Sequence, residues 1–169
     1  MNAIVYTSET GFTEKYARLL GQETGLPVFA LADAQKKLPK GSEIIYLGWL
    51  MAGGVKGCAK ALRQYTVRAV CAVGMARPSE QQASGARARH HIAAEVPVFT
   101  LQGGFALERL HGIYRLMMAT MAKTVGKSLA KKPDKTPEEE EMMELMNHGG
   151  DCVSRENLAP VLAWWASQK

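Results

Sequence analysis

The sequence predicts an α/β fold with a doubly wound, five-stranded parallel sheet, and two regularities of the chain predict it. Short apolar runs rich in β-branched residues recur at residues 3–6, 28–31, 43–47, 69–73 and 96–101. Longer stretches with helical spacing separate these runs, so strands and helices alternate. Such alternation is typical of a parallel sheet with helices on both faces.

The individual elements follow this alternation in order. After the first run, Tyr16, Leu19 and Leu20 share one face of a helix, and residues 59–63 show the same spacing after the third run. The third and fourth runs are apolar almost throughout, as expected for central parallel strands that are buried on both faces. A length of 169 residues suits a single domain, which we expect residues 1–169 to form.

The last third of the chain predicts helices. Apolar side chains recur at spacings of three and four on one long helix, at Leu107, Leu110, Tyr114, Met117, Met121 and Val125. A second helix is expected to begin at Thr136, with Pro137 at its first position and Glu139 reaching back to the cap. Ser154 is expected to cap a last helix. Residues 102–150 are therefore predicted to be a helical insertion before that last helix.

Composition and charge restrict location and partners. No apolar run reaches the roughly 20 residues needed to cross a bilayer, and no basic leader precedes the first strand, so we expect a cytoplasmic protein. Cys58, Cys71 and Cys152 are scattered, which argues against a disulfide framework and a structural zinc site. The net charge of +5 favours anionic partners. Among these, nucleic acid is not expected, because the lysines are spread along the chain and aromatic residues make up only 7%.

A loop rich in hydroxyl groups joins the first strand to the first helix. It comprises Thr7, Ser8, Glu9, Thr10, Gly11, Phe12 and Thr13. The free N–H groups of a helix N-terminus bind anions, a glycine allows close approach, and hydroxyls donate to phosphate oxygens. The loop has neither the G-x-G-x-x-G pattern of dinucleotide sites nor the G-K-[ST] pattern of triphosphate sites, which favours a single phosphate. The alternative is that these residues serve only as a turn and a helix cap.

The segment Ser8-Glu9-Thr10-Gly11-Phe12-Thr13 resembles the flavodoxin family, in which a loop of the form [ST]-x-T-G-x-T grips the phosphate of flavin mononucleotide (FMN). The resemblance extends over roughly residues 1–101. It implies a flavodoxin-like fold with the strand order 2-1-3-4-5, a helical C-terminal extension, and FMN as the cofactor.

Two further loops are expected to flank the flavin ring, because ligands of this fold span the carboxyl ends of the strands. The residues expected at the ring are Trp49, Leu50, Met51, Ala52 and Gly53 in one loop and Gln102, Gly103, Gly104 and Phe105 in the other. Trp49 is the first choice for stacking on the ring, with Phe105 next; the alternative is that both are core or lid residues. Neither loop contains a carboxylate, whereas electron-carrier flavodoxins usually surround the ring with acidic residues.

The C-terminal third looks like that of the flavodoxin-type protoporphyrinogen oxidases of bacteria. The residues that carry this resemblance are Gln102-Gly103-Gly104-Phe105, Leu110, Tyr114-Arg115-Leu116-Met117-Met118, Met121 and a final tryptophan-containing helix. The resemblance implies an FMN enzyme that passes electrons from a porphyrinogen to a membrane quinone, on the inner face of the membrane. Methionines on one helix face and basic residues on the other suit an anionic lipid surface or a carboxylated tetrapyrrole. The alternative is a helix that covers the sheet or packs in a homodimer.

Three functions remain open. The first is an FMN oxidoreductase that acts on a small redox substrate or quinone, the second an electron carrier without its own substrate, and the third a flavin-free binding module. No side chain stands out as a general acid or base, so none is assigned a catalytic role. No metal site is expected, because neither His90-His91 nor the group His148, Asp151 and Cys152 has a recognisable ligand spacing.

Overall fold

Five parallel strands form the central sheet of the computed structural model, which describes residues 1–168. They are β1 (Ala3–Thr7), β2 (Val28–Ala30), β3 (Glu43–Met51), β5 (Thr66–Gly74) and β6 (Val98–Gln102), and the short strand β4 (Gly54–Val55) pairs antiparallel with β3. The predicted α/β class with a mostly parallel sheet is confirmed.

The strands lie in the order β2-β1-β3-β5-β6, with β4 beside β3. The sequence predicted five strands in the order 2-1-3-4-5 and did not predict the short strand β4. The observed strand order therefore differs from the predicted one. Strand β3 continues to Met51 and then reverses at Ala52 and Gly53, which have φ angles of 48° and 74°. Positive φ at both central residues is what a two-residue hairpin turn requires. The segment expected to be a loop is therefore mainly a β-hairpin.

Residues 1–168 form seven α-helices: α1 (Phe12–Thr24), α2 (Leu31–Lys37), α3 (Cys58–Gln64), α4 (Glu80–His90), α5 (Gly112–Ala130), α6 (Pro137–His148) and α7 (Ala159–Ala166). Successive side chains of a strand point to opposite faces of the sheet, so each face has its own hydrophobic cluster. Helices α2, α3 and α4 contribute to the cluster that contains Ile44 and Tyr46. Helices α1 and α7 contribute to the cluster that contains Ile45 and Leu47. All four of these β3 side chains are fully buried, which confirms the predicted burial of this strand on both faces.

The segment between β6 and α7 is more than a pair of helices. It contains β7 (Gly104–Phe105), a 3₁₀ turn (Leu107–Arg109), α5, α6 and β8 (Gly150–Asp151), and β7 pairs antiparallel with β8. The predicted long helix begins only at Gly112, because the 3₁₀ turn intervenes. The short ribbon of β7 and β8 joins the two ends of the helical insertion at the sheet.

The predicted start of α6 is confirmed. The Thr136 hydroxyl accepts a hydrogen bond from Glu139 N–H at 3.3 Å, and the Glu139 carboxylate accepts one from Thr136 N–H at 3.0 Å. The predicted cap of the last helix is different, since Ser154 accepts from Asn157 N–H within the 3₁₀ turn that precedes α7. Among the described residues, no helix combines the length and the apolar character that crossing a bilayer requires.

His90, the last residue of α4, attaches the hairpin of β3 and β4 to the rest of the protein. Its Nε2 accepts a hydrogen bond from Val55 N–H at 2.7 Å, so the imidazole is neutral with its proton on Nδ1. Burial, together with the charges of Arg89 and His91, lowers the pKa of His90 below the usual value for histidine. Protonation would remove the acceptor that holds Val55.

The free energy of unfolding should decrease as the pH falls below about 6.5, the ordinary pKa of histidine. The reason is that the unfolded chain then binds a proton that folded His90 resists, which favours unfolding. Urea unfolding between about pH 8 and about pH 5 measures this slope. His90→Gln should reduce the slope, whereas His111→Asn, a change at an exposed histidine that precedes α5, should keep it. An unaltered slope in His90→Gln would contradict this role.

Candidate functional site

A cavity lies at the carboxyl edge of the sheet, where β1, β3, β5 and β6 end. Its walls come from the loop after β1, the end of β3, the loop after β5 and the segment after β6. Helix α5 closes one side through Met118. The three segments that the sequence assigned to a ligand therefore meet at one place.

The loop after β1 supplies the polar end of the cavity. Glu9, Thr10 and Thr13 line it, and Thr13 is only 2% exposed. Gly11 precedes α1 with φ 94°, and α1 has no side-chain cap, so its first N–H groups lack side-chain acceptors. Ser8 Oγ accepts from Gly11 N–H at 3.1 Å, which leaves the Ser8 hydroxyl proton available. This end combines hydrogen-bond donors with the positive end of a helix dipole, an arrangement that suits an anion.

Thr7 does not line the cavity but attaches the loop to the sheet. The oxygen of the fully buried Tyr46 lies 2.6 Å from the Lys56 carbonyl and 2.8 Å from the Thr7 hydroxyl. A carbonyl can only accept and a phenol has one proton, so Tyr46 donates to Lys56 and Thr7 donates to Tyr46. Gly57, with φ 80°, leaves room for this arrangement, because a Cβ there would overlap the Tyr46 hydroxyl. The Thr7 proton is consequently used within the protein.

The hairpin of β3 and β4 divides between two spaces. Trp49 and Leu50 line the cavity, whereas Met51, Ala52 and Gly53 line a groove next to it. The Trp49 ring meets the ring of Tyr114 from α5 edge to face, with centroids 5.4 Å apart and an interplanar angle of 88°. Trp49 Nε1 is buried and has no hydrogen-bond partner among the described residues. A buried donor without an acceptor is uncommon in proteins, which makes Trp49 Nε1 a candidate to contact a ligand.

Only part of the segment after β6 lines the cavity. Gly103, Gly104 and Phe105 line the cavity, and Phe105 is 5% exposed. Gln102 does not line it, because its carbonyl accepts from the buried Tyr16 hydroxyl at 2.5 Å and its amide donates to Glu141 at 2.9 Å. Gln102 therefore connects β6 to α1 and α6.

The glycines of both segments are required by the packing of the protein itself. A Cβ on Gly48 would lie 2.6 Å from Val55, and one on Gly103 would lie 2.7 Å from Val73. Both distances are far below van der Waals contact, so neighbouring strands can approach only because these residues lack a side chain. The packing of the protein alone therefore accounts for glycine at both positions.

The carboxyl end of β5 and two residues from distant parts of the chain were not foreseen. Val73, Gly74 and Met75 line the cavity, and the position of this strand in the predicted sheet was the signal that could have identified them. Met118 joins them from α5. Arg109 reaches the loop after β1, where its Nη1 donates to the Thr10 carbonyl at 3.3 Å. No local pattern marks Arg109, because these two residues are far apart in the chain.

An apolar groove continues from the cavity along α5. Its volume is about 670 Å³, and it shares Leu50, Gly74, Met75 and Met118 with the cavity. Its methionines are Met51, Met75, Met117, Met118, Met121 and Met142. No lining residue is charged, so the groove suits an apolar molecule, and its volume is within the usual range of ligand sites. Flexible methionine side chains can adapt to the shape of such a molecule.

The described residues provide neither a metal centre nor an activated thiol. Within residues 1–168, no group of three His, Cys, Asp or Glu side chains could hold a metal ion. Burial raises the pKa of both Cys58 and Cys71 to about 12, so these thiols stay protonated at neutral pH.

Comparison with known proteins identifies no family: no protein-family model, curated protein or solved structure matches this chain.

Tyr46→Phe should lower the free energy of unfolding by about 1–3 kcal/mol, because it leaves the part-buried Lys56 carbonyl and the Thr7 hydroxyl without their partner. Urea unfolding measures the loss. Tyr65→Phe is the matched control, since Tyr65 is 6% exposed and no hydrogen bond of its hydroxyl is found within residues 1–168. Its cost should stay below about 0.5 kcal/mol. Equal losses in the two variants would show that the Tyr46 hydroxyl is unimportant.

Proposed function

We propose that this chain is a flavodoxin-like oxidoreductase that holds FMN in the cavity at the carboxyl edge of the sheet. The observation that carries the proposal is the polarity of this cavity. One end offers an uncapped helix N-terminus and hydroxyl groups, and the other offers aromatic and apolar walls. FMN has the matching halves, a phosphate and a flat ring. The parallel sheet with the site at its carboxyl edge supports the flavodoxin-like assignment.

The phosphate would be held by the loop after β1. The donors suited to it are the N–H groups at the start of α1 and the hydroxyls of Thr10 and Thr13, which line the cavity. The Ser8 hydroxyl belongs to the same loop but does not line the cavity. Thr13 is the most informative of these, because its side chain is almost fully buried and still lines the cavity.

The ring would lie against Trp49, Leu50 and Phe105. Trp49 offers both an aromatic surface and an unpaired Nε1 donor, and a flavin ring has carbonyl and nitrogen acceptors. FMN, once bound, supplies the hydride and electron chemistry. The protein's residues would position the ring, exclude water and leave one side open to the groove.

The methionine-lined groove supports an enzyme in preference to a simple electron carrier. It shares four residues with the cavity, so a molecule bound there would lie next to the proposed ring position. A site without charged walls favours a small apolar redox substrate such as a quinone or the ring of a porphyrinogen. Protoporphyrinogen is the specific candidate.

The outer surface of α5 favours contact with an anionic membrane surface. Ile113 and Leu116 are 67% and 68% exposed, and Arg115, Lys123 and Lys127 are exposed on the same helix. Apolar side chains accompanied by cations are the pattern of a helix that lies on a membrane. A position on the inner face of the membrane, close to a quinone pool, accords with the proposed substrates.

Titration of the purified chain with FMN should quench flavin fluorescence with a stoichiometry of one FMN per chain. Thr13→Val should weaken FMN binding by about tenfold, because the buried hydroxyl can no longer donate to the phosphate. Thr24→Val, at the other end of α1, is the matched control and should bind FMN like the natural sequence. Absence of FMN binding in the natural sequence would favour the flavin-free binding module.

The FMN-loaded protein should oxidise protoporphyrinogen with a quinone as acceptor. The measurement is steady-state turnover with quinone and porphyrinogen, compared with NAD(P)H as the electron donor. Met118→Gln should lower turnover with the apolar substrate, because it places an amide at the junction of cavity and groove. FMN binding without turnover of either donor would favour the electron carrier.

A further inference from the structure

The loop after β1 has no positively charged side chain of its own to balance a bound anion. Its own charged residue is Glu9, which lines the cavity and would repel a phosphate. Lys15, one turn into α1, pairs with Asp151 of β8, so its charge is largely neutralised. Hydroxyls and N–H groups can bind a phosphate, but they offset its negative charge only in part. A cation from another part of the chain would therefore strengthen the binding of an anion at this loop.

Arg109 is placed to supply that cation. The 3₁₀ turn after β7 brings its Nη1 within 3.3 Å of the Thr10 carbonyl. The central carbon of its guanidinium lies 6.0 Å from the centre of the Phe12 ring, a cation–π distance. Its Nη1 also lies 3.9 Å from the position that a Cβ on Gly11 would occupy. The hydrogen bond to Thr10 and the cation–π contact with Phe12 hold the guanidinium at the loop.

The guanidinium keeps most of its binding capacity. Arginine has five N–H donors, and the contact with Thr10 is its hydrogen bond within residues 1–168. The nearest carboxylate oxygen, on Glu108, lies 4.0 Å away, beyond hydrogen-bond distance. The Arg109 side chain is 53% exposed, so its remaining donors are accessible. An arginine with free donors matches the oxygens of a phosphate better than any other side chain does.

A second, independent observation points to a ligand at this loop. Thr13 is 2% exposed, lines the cavity, and makes no hydrogen bond through its hydroxyl within residues 1–168. The hydroxyl is therefore unused by the protein and available to donate to a ligand in the cavity. Thr13, on the cavity side of the loop, and Arg109, on its exposed side, thus both indicate a ligand at this loop.

We propose that Arg109 binds the phosphate of the flavin and makes the site selective for FMN over riboflavin, the same flavin without phosphate. This inference rests on the proposed function, because it assigns a residue to the phosphate end of that site. It also explains what β7, the 3₁₀ turn and β8 contribute to the site: the 3₁₀ turn brings Arg109 to the loop, and β8 carries Asp151, which pairs with Lys15.

The test is a comparison of FMN and riboflavin affinities, measured by fluorescence titration of the full chain. Arg109→Gln should weaken FMN binding by about tenfold or more, the cost of one charge-assisted hydrogen bond, and leave riboflavin binding unchanged. Arg109→Lys should restore part of the FMN affinity, because it keeps the charge without the planar fork. Added salt should weaken FMN binding less in Arg109→Gln than in the natural sequence.

Arg68→Gln is the matched control. Arg68 lies near the start of β5, at the opposite edge of the sheet, and its side chain is 47% exposed. The substitution removes the same charge, so it should leave the preference for FMN intact.

Equal weakening of FMN and riboflavin in Arg109→Gln would overturn the proposal, because it would indicate that Arg109 only holds the loop in shape. Unchanged FMN affinity would overturn it as well. Equal affinities of the natural sequence for the two flavins would remove phosphate selectivity and leave the flavin site itself standing. Failure of the natural sequence to bind either flavin would refute the proposed function and this inference with it.

Discussion

The Tyr46 hydroxyl is the contact on which the geometry of the candidate site depends. It joins the end of β1, through Thr7, to the Lys56 carbonyl between β4 and α3. One oxygen therefore fixes the loop that begins α1 relative to the hairpin that carries Trp49. Burial raises the pKa of Tyr46, so the hydroxyl remains protonated and keeps donating throughout the physiological pH range. The missing side chain of Gly57 is what makes space for the hydroxyl.

The buried hydroxyl of Tyr16 connects segments on the other side of the cavity in the same way. Tyr16 donates to the Gln102 carbonyl, and the Asn157 amide donates to both Tyr16 and the Cys152 carbonyl, at 2.8 and 2.9 Å. This network attaches the end of β6 and the chain leading to α7 to helix α1. Two tyrosines therefore hold the segments around the cavity in place through hydrogen bonds within the core. The residues that line the cavity do not have to make these hydrogen bonds.

The site changes character along its length, and the difference follows from which elements form each end. The loop after β1 meets the amino end of a helix, so N–H groups and hydroxyls collect there with Arg109. The opposite end is formed by the hairpin of β3 and β4 and by α5, whose methionines provide an uncharged surface. A polar end and an apolar end, both at the carboxyl edge of a parallel sheet, suit a ligand that has a phosphate and a ring.

The sequence by itself determined the class of fold, the buried strands and the start of α6, because hydrophobic periodicity and helix caps are local properties. It also identified three of the segments that border the cavity, since a parallel sheet brings the ends of its strands together. It did not identify β4, whose turn has the non-glycine residue Ala52 at positive φ, nor the short ribbon of β7 and β8. Only the tertiary structure decided that Thr7 and Gln102 bond within the protein, that Arg109 reaches the loop after β1, and that α5 lies beside Trp49. Each of these depends on contacts between residues distant in the chain, for which neighbouring residues carry no signal.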